Sequence, residues 1–182
     1  MPPVPQRSGI LDDAAQPPHS RVRVAVANET NAVVDAARLA GAVELALADA
    51  ACTMADISLA IVDDETIHRL NRQFLEHDWA TDVLSFVLQE PPRLEGEIVA
   101  SVETARREAA AVGWAADDEL LLYVVHGALH LAGLLDKQPD DAAGMRLAER
   151  EILEQLGVRV SPNDPRWNGD ELAAPSRAQE HA

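Results

Sequence analysis

A chain of 182 residues, 47% of them hydrophobic, is long enough to bury the core of one domain and too short for two of ordinary size. No apolar run approaches the ~20 residues that span a bilayer, and the single cysteine, Cys52, excludes an internal disulfide or a cysteine-rich metal site. Thirty-one acidic residues against 15 basic ones leave a net charge of −16, which repels polyanions at long range and argues against broad, non-specific nucleic-acid binding.

Residues 1–20, rich in Pro, Gln, Asp and Ser, read as a disordered leader. They show no positively charged segment followed by an apolar stretch, so no secretory signal and no membrane association are expected, and the lone thiol fits a cytoplasmic location. Val22, Val24 and Val26 alternate with other residues and predict a first strand. Ala32 to Ala51, carrying Val33, Val34, Ala37, Ala40, Leu45 and Leu47, predicts a long Ala-rich helix. Ile57 to Val62 is a second strand; Asp63 or Asp64 then caps a helix running to about Leu75. Asp82 to Leu88 is a third strand, stopped by Pro91 and Pro92, and Gly96 to Val102 a fourth. Glu103 to Val112 is a helix ended by Gly113. Asp117 is the expected cap of the next helix, which carries Leu120, Leu121, Val124, Val125, His126, Leu129 and His130. Pro139 opens a last helix through Met145, Leu147, Ile152 and Leu156, stopped by Gly157. From Ser161 onward, with Pro162, Pro165, Gly169 and Pro175, periodicity is lost and a disordered tail (161–182) is expected. The folded part, residues 21–160, is thus a single α+β domain: a four-stranded mixed sheet with about five helices, covered mainly on one face, in a strand order the pattern does not specify.

The chemistry is concentrated between residues 126 and 136, His-Gly-Ala-Leu-His-Leu-Ala-Gly-Leu-Leu-Asp. Two histidines four apart on a helix leave the same face one turn above each other. Gly133 can end that helix in a left-handed cap, and the turn after it can return Asp136 toward the imidazoles as a third ligand. Asp140 and Asp141 lie close behind and are substitutes if the turn runs differently. Two nitrogens and one carboxylate oxygen leave a fourth position for water, the arrangement of a catalytic zinc site on a zincin-like helix; iron or manganese also accept such ligands. A pair of histidines satisfied by backbone carbonyls is the plainer alternative for His126 and His130 taken alone. Such a metal lowers the pKa of its water from 15.7 to about 7, so hydrolysis is the natural consequence. In the familiar metalloprotease helix a Glu general base directly follows the first His. Here that place is Gly127, which ranks peptide hydrolysis below that of a phosphodiester.

The helix resembles that of the YbeY proteins, bacterial metal-dependent endoribonucleases that mature ribosomal RNA. Their His-Gly-x-Leu-His-Leu-x-Gly-Tyr-Asp-His motif is matched from His126 to Gly133. A second stretch, from Leu70-Asn71-Arg72-Gln73-Phe74-Leu75 through Asp78 to Thr81-Asp82-Val83-Leu84-Ser85-Phe86, is similar to the family's Leu-Asn-x-x-Tyr-Arg-x-x-Asp-x-Pro-Thr-Asp-Val-Leu-Ser-Phe, and Gly96-Glu97-Ile98 to its Gly-Asp/Glu-Ile. The resemblance spans roughly residues 22 to 158. It implies a zinc-like site in a cleft, one Zn2+ per chain held by His126, His130 and Asp136, and single-stranded RNA as substrate. It further implies work with the small ribosomal subunit and its proteins, at the 3′ end of the small-subunit RNA and in ribosome quality control, and no DNA. The alternative is a ribosome-assembly binding factor that keeps a structural metal with little or no cleavage, and a weaker third reading is a zinc peptidase.

Departures from the family pattern set further expectations. Asp136 stands where most members have a third His, and Leu134 and Leu135 replace Tyr-Asp. Leu75 replaces an Arg thought to meet the phosphate; Arg72, three residues earlier on the same helical face, is expected to take over with His77, or else to be an ordinary surface charge. Ser85 is expected to hydrogen-bond near the metal or a phosphate, or to satisfy the strand backbone. Asp78 and Asp82 are expected to cap the turn before the third strand. A basic groove would have to draw on Arg72, Arg93, Arg106 and Arg107, each of which alone reads as a solvated arginine. Trp79, Trp114 and Trp167 could stack on bases, with core packing or tail disorder the safer reading; His19, His68 and His181 have no evident partner.

Overall fold

Alternating valines build β1 (Val22–Asn28), and the apolar runs that follow build β2 (Met54–Val62), β3 (Val83–Gln89) and β4 (Arg93–Ser101). Five helices join them: α1 (Ala36–Ala46), α2 (Asp64–Leu75), α3 (Val102–Val112), α4 (Ala116–Leu131) and α5 (Pro139–Gln155). The computed structural model describes residues 21–160 with Arg166 and Trp167; the expected leader and the rest of the expected tail lie outside the described residues.

The strands form one mixed sheet in the order β1-β2-β4-β3, with β1–β2 and β2–β4 parallel and β3–β4 antiparallel. Because β4 inserts between β2 and β3, the motif-bearing strand β3 becomes an edge. Side chains alternate across the sheet with period two. On one face, Ile57, Leu59 and Ile61 of β2 and Leu94, Ile98 and Ala100 of β4 join the main core with α1 and α4. On the other, Val62, Leu84 and Val99 meet Ile67 of α2 in a smaller cluster. The sheet is thus covered mainly on one face, as the pattern predicts.

Helix α4 is the centre of the molecule. Residues 119–125 and 127–131 are all buried, and the helix packs against α1, α3, α5, β3 and β4. A helix apolar on nearly every side belongs inside a core, where its side chains are held rigidly. Two motif glycines permit this packing: a Cβ on Gly127 would lie 3.0 Å from Ile98 Cγ2 and 3.1 Å from Val83 Cγ2, and one on Gly96 would lie 2.8 Å from Leu131 Cδ1.

Several boundaries differ from expectation for local reasons. The first helix spans Ala36–Ala46 rather than 32–51, because Asp35 caps it by accepting from the Arg38 amide, while Asn28 and Thr30 tie residues 28–32 into a turn. Strands β2 and β4 each start three residues early, paired in register from Met54 and Arg93. Strand β4 stops at Ser101, whose hydroxyl accepts from the Thr104 amide to cap α3. Asp117 does not cap α4: Ala115 occupies that position without a side-chain hydrogen bond, and Asp117, Asp118 and Glu119 fill the first turn. Asp63 does cap α2, accepting from the Thr66 amide at 2.8 Å.

Beyond α5, Arg166 reaches back to α4. It donates to Glu119 Oε2 at 2.7 Å, and its guanidinium lies 4.4 Å from the Trp114 ring centroid. Trp167 packs partly buried against the main core.

Candidate metal centre

Helical spacing puts His126 and His130 on one face of α4, their Nε2 atoms 2.7 Å apart. Gly133, at φ 95°, ends the helix in the left-handed region. The amides of Gly133 and Leu134 donate back to the carbonyls of His130 and Leu129, closing the turn. The chain then returns, and Asp136 Oδ2 stands 3.7 Å from each Nε2. Among the described residues, these three side chains form a group whose ligand atoms all lie within 4.8 Å of one another. Asp140 and Asp141, the possible substitutes, are exposed in the first turn of α5.

The second nitrogen of each ring fixes its tautomer. Leu134 O lies 2.9 Å from His130 Nδ1, and the Glu149 carboxylate lies against His126 Nδ1. Carbonyl and carboxylate oxygens only accept, so both Nδ1 atoms donate, and each Nε2 faces the other and Asp136 as the atom available to a cation. Three converging acceptors suit a cation. Ligand atoms about 2.0–2.1 Å from a tetrahedral zinc stand about 3.3 Å from one another, and the observed separations of 2.7, 3.7 and 3.7 Å bracket that value. Leu134 contributes through its carbonyl, so replacement of the family's Tyr leaves this contact intact.

Glu149 escaped the sequence reading. Its signal is an acid inside the apolar stripe of α5: Met145, Glu149, Ile152 and Leu153 are the buried positions of that helix. Gly127 is also informative. Its α-carbon faces Ile98 and Val83 with no room for a longer side chain, so the position where metalloproteases carry their base points into the sheet.

The other expected residues occupy distinct places. Ser85 lies on β3 paired with Ile98, two residues from Val83 and therefore on the strand face that meets α4. Arg72 is exposed on α2, 3.9 Å from Asp78, which also takes His68 Nε2 at 3.0 Å. His77 stacks on Trp79 with ring centroids 4.4 Å apart. Leu75, in the place of the family's Arg, packs on the small cluster of α2. Asp82 organises the turn before β3, accepting from Thr81 Oγ1 and the Val83 amide, both at 2.9 Å. Asp78 instead serves the pairs with His68 and Arg72.

Three of the candidate groove arginines pair with acids, Arg72 with Asp78, Arg93 with Asp56 and Glu95, and Arg107 with Asp64; Arg106 is exposed on α3. Burial pushes the Asp64 carboxyl up, but hydrogen bonds from Ser101, Thr104 and Arg107 outweigh it and hold the group below the usual carboxylate value. This network ties the starts of α2 and α3 together. Trp114 is covered by Arg166, Trp167 packs on the core and Trp79 stays about half exposed. His19 and His181 lie outside the described residues. No helix among the described residues is long and apolar enough to cross a membrane.

The chain is similar to known proteins over most of its length. The family model described as endoribonuclease YbeY matches residues 24–157. An endoribonuclease YbeY of Rhodopirellula baltica is 38% identical over 171 residues, covering 92% of this chain and 82% of the relative. One of Nautilia profundicola is 45% identical over 107 residues, covering 58% and 76%. A solution structure of a Thermotoga maritima protein superposes with a TM-score of 0.50 at 25% identity, covering 74% of this chain and 88% of that one.

Proposed function

Because the chain belongs to the YbeY endoribonuclease family, we propose that it is a metal-dependent, single-strand-preferring endoribonuclease acting in ribosomal RNA maturation, with His126, His130 and Asp136 as its metal ligands. The observation that carries this is the convergence of two lone-pair-bearing Nε2 atoms and one carboxylate oxygen at the end of a rigid, buried helix. A divalent metal bound there supplies an acidified water and positive charge against the phosphate oxygens. Zinc suits two imidazoles and one carboxylate best.

The chain's own residues do the rest. His126 and His130 are held by α4, and the Leu134 carbonyl and Glu149 keep their Nε2 atoms facing the centre. Asp136 lowers the charge of the centre by one unit relative to a third His. Ser85, on the strand face toward α4, is assigned a hydrogen bond near the scissile phosphate. Arg72 and His77 are assigned to the RNA backbone in place of the Arg lost at Leu75. An exposed ion pair such as Arg72–Asp78 contributes only ~0–1 kcal/mol, so exchanging Asp78 for a phosphate costs little. The small ribosomal subunit and its proteins are the setting, in the cytoplasm.

Two features weigh against the rivals. A structural zinc is closed by four protein ligands, whereas three gather here among the described residues. A peptidase would need a base that Gly127 has no room to provide. The test is cleavage of a labelled single-stranded RNA by the purified chain, with chelation and metal return. Loss and full recovery support the proposal; RNA left intact by metal-loaded protein overturns it.

A further inference from the structure

We propose that Glu149 is a positioning residue of the metal centre, kept in the core for metal affinity and not for stability. Its side chain is 8% exposed and its residue 6%, on α5 against α4. Among the described residues its polar partner is the His126 ring, and it forms no ion pair with a lysine or arginine. Burying a carboxylate without a lysine or arginine partner is unfavourable, so a helix stripe otherwise made of Met145, Ile152 and Leu153 would be more stable with an apolar residue there. What the carboxylate gives in return is control of one ring. By accepting the Nδ1 proton it leaves Nε2 of His126 as the lone-pair atom, fixes the ring's rotation, and makes that nitrogen a stronger donor to a cation. The two ligand histidines are thereby unequal: His126 is backed by a charge from another helix, and His130 by the neutral carbonyl of its own turn. Docking of α5 on α4 is then part of the site, although α5 contributes no ligand.

This inference rests on the metal reading but is tested without RNA. Glu149→Leu fills the same stripe with an apolar side chain, and Glu149→Gln keeps an acceptor without the charge. Zinc dissociation constants come from competition with a chromophoric chelator, ligand symmetry from the visible spectrum of the Co2+-loaded protein, and the melting temperature from metal-free samples. The expected result is a metal affinity 10- to 100-fold weaker in Glu149→Leu, a smaller loss in Glu149→Gln, and an altered Co2+ spectrum, with the metal-free melting temperature unchanged or raised. Unchanged affinity with a lowered metal-free melting temperature would overturn the proposal and make Glu149 a packing residue. Absence of metal binding in the parent protein would sink the metal reading itself, a distinguishable failure.

Discussion

Removal of the Arg166 guanidinium should destabilise the fold without touching the candidate metal centre. Glu119 is fully buried on α4, and Arg166, 19% exposed, donates to its carboxylate at 2.7 Å while covering Trp114. Truncating one partner of a buried pair removes the charge that compensated the other, which typically costs about 3–5 kcal/mol, and the lost cation–π contact adds ~0.5–1 kcal/mol. Against a domain stability of ~5–15 kcal/mol this is a large fraction. With about 2–4 °C per kcal/mol for a chain of this size, Arg166→Ala should melt roughly 7–24 °C lower. Calorimetry and urea unfolding of the full chain measure it, beside Glu119→Gln and the double variant. Neutralising Glu119 removes the buried charge that Arg166 compensated, so the double variant should be more stable than Arg166→Ala alone. A cost below about 0.5 kcal/mol for Arg166→Ala, or strict additivity in the cycle, would refute the argument.

Other outcomes follow from the same structure. Metal at a hundred times its dissociation constant should stabilise the chain by about 2.7 kcal/mol, so chelation should lower its melting temperature and His126→Ala should abolish that response. The Asp64 carboxyl is held low in the fold, so its contribution is present above its unfolded value near 3.9 and lost as pH falls through the lower folded one. Asp64→Asn should accordingly flatten stability against pH below about pH 4, measured by urea unfolding. Gly127→Ala forces a methyl to 3.0 Å from Ile98 and should cost about 1–3 kcal/mol, with loss of metal affinity as α4 lifts from the sheet. Arg72→Ala should raise KM for single-stranded RNA and weaken its salt dependence while metal content stays unchanged; an unaltered KM would return Arg72 to the role of a surface charge.

Much of this fold could be read from residue pattern because its elements are locally coded. Alternating valines, the Asp63 cap, and Gly113 and Gly157 at positive φ all act within a few residues. The strand order could not be read, since inserting β4 between β2 and β3 depends on a crossover that no local pattern encodes. The candidate metal ligands were legible as a group because helical spacing and one glycine turn bring all three together within eleven residues. Glu149 was not, because its partner lies 23 residues away on another helix and an acid in an apolar stripe has no meaning until that helix docks. The misplaced cap at Asp117 has the opposite cause: α4 is held by burial on nearly all sides, so tertiary packing sets its start without a capping side chain.

The central claim is that His126, His130 and Asp136 hold one catalytic metal. The most direct test titrates zinc into metal-free protein while following cleavage of a labelled single-stranded RNA, in the parent chain and in Asp136→Ala. Activity should rise linearly, break at one equivalent per chain, and stay near background in the variant at the same zinc concentrations. Cleavage that is independent of added zinc and insensitive to chelator, or a variant that titrates like the parent, would contradict the account.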